Sequence, residues 1–247
     1  MAIDLTCLGT SDAFGSAGRH NAGYLLETPS TRLLIDSGPG VLSAMRAQGR
    51  DPNEVEGVVI SHLHGDHFAG LPFLLLDFTW QSRRNRPLTV VGPPGTGDRV
   101  QHLYEVLYTE SGKEKLPFPI EYVELKDGDA HEIADTRIEA FFVPHQDTEL
   151  SLGHRFLSQG RSIVYSGDTP WTEDLIGHSS GADLFLLECS TFDTPIPRHI
   201  RYAELEQHRN RLECADLLLI HLGKEMRERE GEIGLALADD GLRRRID

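Results

Sequence analysis

Short apolar runs recur along the chain, and each is closed by glycine, proline or polar residues. Runs of this length are typical of buried strands, and segments with apolar residues three and four apart are typical of helices. The pattern predicts strands at residues 3–8, 24–27, 32–36, 55–60, 88–91, 120–125, 131–133, 138–143, 152–157, 162–165, 183–187 and 216–220. It predicts helices at residues 41–48, 68–81, 98–109, 171–178 and 202–212.

The alternation of strands and helices, with a strand-rich centre, favours two sheets covered by helices, a fold of the α/β (α+β) class. In the predicted helix 68–81, Phe73, Leu76 and Trp80 are spaced for an apolar face, and we predict that they lie in the core. The 247 residues are enough for one large core, and no linker or low-complexity tract divides them. We therefore predict a single domain spanning residues 1–247.

The charge of the chain bears on its partners. The formal net charge is -15, with 39 acidic against 24 basic side chains. Such a field repels polyanions, so long nucleic acid is an unfavourable partner. The strongest basic run, Arg83-Arg84-Asn85-Arg86, is short, and we interpret it as a solvated loop.

The cysteines and the apolar runs bear on the compartment. Cys7, Cys189 and Cys214 are odd in number and widely spaced, which does not indicate a disulfide framework. Free buried thiols fit a reducing compartment. Residues 1–7 lack the basic and apolar regions of a signal peptide, and the longest apolar run, at 71–76, is too short to span a bilayer. We predict a cytoplasmic protein that does not bind a membrane.

Metal-binding side chains are densest in the segment from Ser61 to Pro72, which reads Ser-His-Leu-His-Gly-Asp-His-Phe-Ala-Gly-Leu-Pro. His62 and His64 lie two residues apart at the end of an apolar strand, so both imidazoles project to one face. Asp66 and His67 follow directly, where the chain must turn. Imidazoles combined with a carboxylate suit zinc, manganese or iron rather than calcium. This spacing favours a metal site over a solvated histidine-rich loop.

Three later residues also follow apolar, strand-like runs, namely His145, Asp168 and His221. Taken singly, each fits a turn residue or the end of a capped strand. A layered fold, however, gathers its site from polar residues on the loops that its strands and helices position. His145, Asp168 and His221 are therefore candidate site residues.

These residues resemble the metallo-β-lactamase-fold hydrolases, whose His-x-His-x-Asp-His motif is matched in full, with the three later residues following in the family's order. The resemblance covers nearly the whole chain and implies a four-layer αββα sandwich with a dimetal site at one edge. It implies that one metal would be held by His62, His64 and His145, the other by Asp66, His67 and His221, and that Asp168 would bridge the two. Two divalent ions are thus expected, and zinc is the default, although manganese and iron are compatible with the carboxylates.

Within this family, the segments Leu8-Gly9-Thr10-Ser11, Asp36-Ser37-Gly38 and residues 67–72 resemble the phosphodiesterase branch, which includes ribonuclease Z and a phosphoribosyl cyclic phosphodiesterase. Ribonuclease Z carries a long tRNA-clasping arm between the positions that match His145 and Asp168. The short segment between these residues leaves no room for an arm. The resemblance also implies a homodimer, which is common among relatives.

The chain also departs from ribonuclease Z in the residues for proton transfer. Ribonuclease Z uses a His-Glu pair at a strand end near its leaving group. Residues 187–192 keep Glu188 but lack the histidine. His199, just ahead of the predicted helix at 202–212, is a candidate proton donor, and a surface histidine is the alternative interpretation. Asp66 could in addition accept a proton from the nucleophile.

The resemblance implies hydrolysis of a phosphodiester by a hydroxide that bridges two metal ions, with no organic cofactor. The negative charge and the missing arm favour a small cyclic or nucleotide-like phosphodiester as substrate. Three alternatives remain open: a carboxylic-ester, thioester or lactone/lactam hydrolase, an arm-less RNA-processing nuclease similar to ribonuclease Z, and a non-catalytic metal or small-molecule carrier. The intact set of seven ligands favours an enzyme over a carrier.

Overall fold

The computed structural model describes residues 2–247. Within this range the β-strands are β1 (Ile3–Gly9), β2 (Gly23–Glu27), β3 (Arg32–Ile35), β4 (Gly57–Val59), β5 (Leu88–Gly92), β6 (Ile120–Glu124), β7 (Ala130–Ile133), β8 (Thr136–Phe142), β9 (Leu152–Ser158), β10 (Arg161–Tyr165), β11 (Leu184–Glu188), β12 (Leu217–Ile220), β13 (Ala236–Leu237) and β14 (Arg243–Ile246). The α-helices are α1 (Val41–Ala47), α2 (Gly65–Phe68), α3 (Leu71–Leu76), α4 (Thr96–Leu107), α5 (Asp174–Ser179), α6 (Tyr202–His208) and α7 (Lys224–Glu228).

The strands of residues 2–247 form two seven-stranded sheets. The first has the order β14-β1-β2-β3-β4-β5-β6, and the second has the order β13-β12-β11-β10-β9-β8-β7. Strands β3 to β6 are parallel, as are β10 to β13. Because the carboxyl ends of parallel strands meet at one edge of a sheet, residues that follow these strands are brought together there.

Each sheet is covered on both faces. One core lies between the two sheets, a second lies between the first sheet and helices α1, α3 and α4, and a third lies between the second sheet and helices α5, α6 and α7. Strand β12 contributes side chains to two of these cores. Leu218 and Ile220 point into the core between the sheets, whereas Leu219 points toward the helices, since successive side chains alternate between faces. The four-layer αββα sandwich is therefore confirmed.

The predicted strands all occur, to within a few residues. The elements after residue 220, which are α7, β13 and β14, were not predicted. Strand β14 reads Arg-Arg-Arg-Ile and lies at the edge of the first sheet, where charged side chains are tolerated and no apolar alternation is needed. Its sequence therefore lacks the pattern by which buried strands are identified.

The helix predicted at 68–81 is confirmed from Leu71 onward, but its start is wrong, because the chain is interrupted at residues 69–70. Helix α2 ends at Phe68, and the chain re-enters a helix at α3, which continues into a π-helical turn at Asp77–Gln81. The break occurs at Gly70, whose N–H donates to Ser37 O at 2.7 Å. A Cβ at Gly70 would lie 2.2 Å from Gly38 O, so only glycine permits this close approach of the backbones.

The buried side chains of this segment also differ from the prediction. Leu71, Leu74 and Leu75 are fully buried, whereas Phe73 is 36% exposed and Trp80 is 61% exposed. The prediction that Phe73 and Trp80 lie in the core is therefore wrong. The reason is that the segment carries a second apolar stripe, formed by Leu71, Leu74, Leu75 and Phe78, and this stripe packs on the first sheet. The aromatic spacing alone does not show which of the two faces is buried.

The prediction of a solvated basic loop at residues 83–86 is wrong for Arg84, which is only 2% exposed. Its guanidinium donates to the carbonyls of Arg86, Asn53 and Pro87, and it lies 4.9 Å from the centre of the Phe78 ring. A guanidinium carries five N–H donors, so it satisfies several loop carbonyls at once. Arg84 is thus a structural residue that holds the loop before β5.

Two further expectations concern the cysteines and the membrane. Cys7 and Cys189 are buried, Cys214 is partly buried, and none of the three forms a disulfide within residues 2–247. In the same range, no helix has both the length and the apolar character needed to cross a bilayer.

Candidate metal centre

All seven residues singled out as metal ligands lie at one edge of the sandwich, just after strands β4, β8, β10 and β12. Their ligating atoms form two groups, and within each group these atoms lie within 4.8 Å of one another. The first group comprises His62, His64 and His145, and the second comprises Asp66, His67, Asp168 and His221. Both groups have the donor set of a site that could hold a transition metal.

Asp168 lies between the two groups. Its Oδ2 is 3.8 Å from Nε2 of both His62 and His145, 3.3 Å from Nε2 of His67 and 3.4 Å from Nε2 of His221. Its second oxygen, Oδ1, is buried and has no hydrogen-bond partner among residues 2–247. A buried carboxylate oxygen without a donor is unfavourable unless a cation faces it. Asp168 thus lies within 4 Å of histidines from both groups.

Three ring nitrogens of the first group converge on one point. His64 Nδ1 lies 3.0 Å from His62 Nε2 and 3.1 Å from His145 Nε2. Burial lowers the pKa of all three histidines, which favours the neutral rings whose lone pairs bind metals. One proton cannot satisfy three such nitrogens, whereas a single cation can.

The opposite nitrogen of most of these rings is held by the protein. His67 Nδ1 lies 2.7 Å from Asp36 Oδ2, and His62 Nδ1 lies 3.0 Å from Ser61 Oγ. His145 Nδ1 lies 3.2 Å from a backbone carbonyl, that of residue 198. Such contacts select the tautomer and aim Nε2 at the centre, as in known metal sites.

The second group is rich in negative charge. Burial by itself lowers the pKa of His67, but the carboxylates of Asp168 and Asp66 outweigh it and raise this pKa well above the ordinary value. The same opposition, with Asp168 as the main carboxylate, raises the pKa of His221. Positive charge at the point toward which the histidine nitrogens are directed would thus stabilise the buried carboxylates. A divalent cation would supply that charge.

The centre is closed on the protein side and open on the other. His62 is fully buried and His67 is also buried, whereas His64 is exposed and Asp66 is partly exposed. His64 and Asp66 therefore mark the side of the centre that faces solvent.

Asp36 was noted from the sequence only as part of a family-like turn, and its role was missed. It is fully buried after β3, in the left-handed region at φ 53°. It accepts hydrogen bonds from Ser61 N (2.7 Å), Ser61 Oγ (2.8 Å), His67 Nδ1 and Tyr165 Oη (2.5 Å). One carboxylate therefore fixes His67 and the start of the histidine segment together, and only the Asp-Ser-Gly turn after an apolar run signalled it.

The proposed proton donor lies beside the cluster. His199 Nδ1 is 2.9 Å from Oε1 of the fully buried Glu188. The His199 ring is stacked parallel to His221, with ring centres 5.4 Å apart, and meets His145 edge-on at 4.9 Å. Burial lowers the pKa of His199, but the Glu188 carboxylate outweighs it and raises this pKa to about 9. The structure thus brings Glu188 and His199 together and favours a protonated His199.

Ser190 was missed by the sequence reasoning. Its hydroxyl lies 3.1 Å from Glu188 Oε2, 3.2 Å from His199 Nδ1 and 3.0 Å from His221 Nδ1. It therefore connects the Glu188–His199 pair to a histidine of the second metal group. Serine is common in turns, and nothing in its local sequence distinguished this one.

The loop that carries His199 is held from two sides. Arg198, at φ 67°, donates from its guanidinium to His145 O (3.1 Å) and to Asp147, and its own carbonyl faces His145 Nδ1. On the other side, Glu225 at the start of α7 accepts hydrogen bonds from the backbone N–H groups of residues 192–194 at 2.9 to 3.1 Å. These contacts join sequence segments that are far apart, so the sequence pattern could not indicate them.

The expectation that no arm lies between His145 and Asp168 is confirmed. Only a short loop at residues 143–151 separates β8 from β9, and β10 follows β9 through a tight turn. The edge of the sandwich next to His145 is therefore formed by this loop together with the loop that carries Arg198 and His199.

Comparison with known proteins agrees with this architecture. The family model described as "Anti-Pycsar protein Apyc1" matches residues 3–238. A ribonuclease Z of Mycolicibacterium gilvum is 30% identical in an alignment of 177 positions that covers 68% of this chain and 62% of that protein. The aligned region thus spans less than two thirds of this relative's length.

Solved structures show the same fold. The metallo-β-lactamase fold protein YhfI from Bacillus subtilis superposes with a TM-score of 0.80 and 20% identity, and covers 99% of both chains. The short form of human tRNase Z superposes with a TM-score of 0.79 and 23% identity, again over 99% of both chains. The predicted branch of the metallo-β-lactamase fold is confirmed, and the chain belongs to the family described as Anti-Pycsar protein Apyc1.

Proposed function

We propose that this protein is a dimetal-dependent phosphodiesterase that acts on a small cyclic or nucleotide-like phosphodiester. The observation that carries the proposal is the contact between the two groups of metal-binding residues and the Glu188–His199 pair. Hydrolysis of a phosphodiester requires an activated water and, for a poor leaving group, a proton donor. The site offers side chains for both tasks within one opening.

The two groups of donor atoms support one division of the ligands. We propose that one ion is held by His62, His64 and His145, the other by Asp66, His67 and His221, and that Asp168 contacts both. Zinc is our choice of metal because imidazoles outnumber carboxylates. When bound, two divalent ions would lower the pKa of a water between them and stabilise charge on the phosphoryl oxygens.

The chain's own residues would orient the substrate and move protons. With Nδ1 of His199 held by Glu188, Nε2 carries the proton that can pass to the leaving oxygen. Glu188 is itself kept in place by the N–H of Thr169 at 3.0 Å and by Ser190. We propose that Asp66, whose Oδ2 is 3.2 Å from His67 Nε2, would accept the proton that the attacking water releases.

The net charge of the chain and the loop beside the site bear on the size of the substrate. The net charge of -15 opposes a polyanion, and the short loop at residues 143–151 offers no arm to hold a folded RNA. Both features support a small substrate with one phosphodiester.

A second candidate is an RNA-processing nuclease without the arm. The observation that favours it is the 30% identity to a protein named ribonuclease Z. It requires a local surface that overcomes the overall negative charge, and this requirement is why we place it second.

A substrate panel tests the proposal. Zinc-loaded protein is assayed against bis(p-nitrophenyl) phosphate, cyclic mononucleotides, a precursor tRNA, a lactone and a thioester. We expect turnover of the first two classes, loss of turnover in Asp168→Asn, and no change in His102→Ala, a control at an exposed histidine on α4. Preferential turnover of the tRNA, or of the lactone or thioester, would replace the proposal by the matching alternative. Metal binding without any turnover would indicate a carrier.

Three further predictions concern the number of domains, the oligomeric state and the location of the protein. A single domain is supported by the core that both sheets share. A homodimer and a cytoplasmic location are also proposed, the latter because the cysteines are unpaired. Sedimentation analysis of the metal-loaded protein tests the homodimer, since a monomer at micromolar concentration would contradict it.

A further inference from the structure

A cavity of about 640 Å³ lies next to the metal centre. Three segments line it, within residues 12–17, 190–196 and 223–228. Ser190 belongs to both the cavity wall and the metal centre, since its hydroxyl contacts His199 and His221. The cavity therefore begins on the side of the site where the proposed proton donor stands, and its volume is in the usual range for a small-molecule site.

The three segments pack closely, so the cavity has a defined shape. They meet at Gly223, where a Cβ would lie 2.4 Å from Ser190 O and 2.9 Å from Asp12 Oδ2. Asp12 in turn holds its own loop, because its carboxylate accepts from Phe14 N at 3.1 Å and from Ser16 Oγ at 2.9 Å. A second segment, at residues 192–194, is held by Glu225.

An aromatic side chain is presented at this cavity. Phe14 is 85% exposed although its backbone is fixed by Asp12. Ile196, from another segment of the lining, is also exposed. A phenylalanine ring on a loop fixed by hydrogen bonds, with an aliphatic side chain in the same lining, suits a flat aromatic ligand that stacks on the ring.

The charges at the cavity restrict the ligand further. Its lining contains the carboxylates of Asp12, Glu225 and Glu228 and a single cation, Lys224. Lys224 is paired with Glu228 at 3.6 Å, so it does not offset the remaining carboxylates. Additional phosphates would be repelled here, whereas an uncharged heterocycle would not.

We propose that this cavity binds the nucleobase of the substrate, with Phe14 as its stacking surface. The inference rests on the proposed phosphodiesterase function, because it assigns the scissile phosphate to the metal centre and the leaving oxygen to His199. The base then extends toward the loop that carries His199, where the cavity begins. The acidic lining selects a mononucleotide over a chain that continues with further phosphates.

Kinetics with and without a base test the assignment. The substrates are a 3′,5′-cyclic purine mononucleotide and the cyclic phosphate of 1-O-methylribose, which has no base. Phe14→Ala should lower kcat/KM for the nucleotide about tenfold, mainly through KM, which corresponds to about 1.4 kcal/mol. It should leave the base-free substrate unchanged, and Phe14→Trp should restore the nucleotide to wild-type values. Trp80→Ala, at an exposed aromatic outside the cavity, should affect neither substrate.

Binding provides a readout that does not depend on turnover. Calorimetry with zinc-loaded protein and a hydrolysis-resistant cyclic nucleotide phosphorothioate should show about tenfold weaker binding for Phe14→Ala. Wild-type protein that binds this ligand through Phe14 but hydrolyses no phosphodiester would uphold the base site and reject the proposed function. Equal effects of Phe14→Ala on both substrates, or nucleotide binding that is indifferent to Phe14, would overturn the base site.

Discussion

Asp36→Asn is the substitution that most directly separates metal positioning from folding. The aspartate accepts four hydrogen bonds in a fully buried position, two from Ser61, one from His67 and one from Tyr165. An asparagine of the same shape keeps one acceptor oxygen and brings an NH₂ group. That group must face either the Ser61 N–H or the His67 ring nitrogen, so at least one donor loses its acceptor.

The expected size of the effect follows from these contacts. Loss of the partner that orients a metal-binding histidine typically lowers metal affinity about 10- to 100-fold, which is about 1.4–2.7 kcal/mol. A buried N–H left without an acceptor costs about 1–3 kcal/mol of folding stability. We therefore expect Asp36→Asn to bind the ion at His67 10 to 100 times more weakly and to unfold at a lower denaturant concentration.

Competition for zinc against a chromophoric chelator measures the first effect, and urea unfolding measures the second. Asp135→Asn is the matched control, because Asp135 also accepts from several side chains, Thr28, Thr31 and Gln159, but lies outside the metal groups. It should lose stability and keep its zinc affinity. An Asp36→Asn protein that loses stability but binds both zinc ions as tightly as wild type would refute the positioning role of Asp36.

The remaining predictions concern the proton donor, its loop and a buried histidine. His199→Ala should slow hydrolysis of a diester with a poor alkoxide leaving group by about 10²–10⁴-fold and that of a p-nitrophenyl diester far less, since nitrophenolate leaves without a proton. Equal losses on the two diesters would contradict the role. Glu225→Ala should slow the alkoxide substrate by up to about 10²-fold through misplacement of the loop, with zinc content by metal analysis unchanged. His154 is fully buried without a partner among residues 2–247, and burial lowers its pKa from 6.5 to about 4. His154 therefore binds a proton more tightly in the unfolded chain than in the folded one. The free energy of unfolding should fall by up to about 3 kcal/mol as the pH drops from 6.5 to 4. His154→Phe should flatten this part of the urea-unfolding profile, and an unchanged slope would count against the assignment.

Local pattern alone was sufficient for much of the fold. Continuous apolar runs such as β12 identify strands because a strand that is buried on both faces needs apolar side chains at consecutive positions. The pattern was insufficient where a distant contact decides the outcome. Trp80 is exposed because the leucine face of the same segment packs on the first sheet, and Arg84 is buried because its guanidinium donates to loop carbonyls from two segments.

The sequence by itself determined the dense segment from Ser61 to Pro72, since two histidines spaced for one face of a strand, followed by a turn with Asp66 and His67, have few uses other than metal binding. It also indicated His145, Asp168 and His221, through their places after apolar runs. Only the tertiary structure decided that Asp36 holds His67, that Ser190 joins His199 to His221, and that Phe14 stands at a cavity beside them. These contacts join strands and loops far apart in the chain, and a hydrogen bond depends on the position and direction of both partners, which no single stretch of sequence specifies.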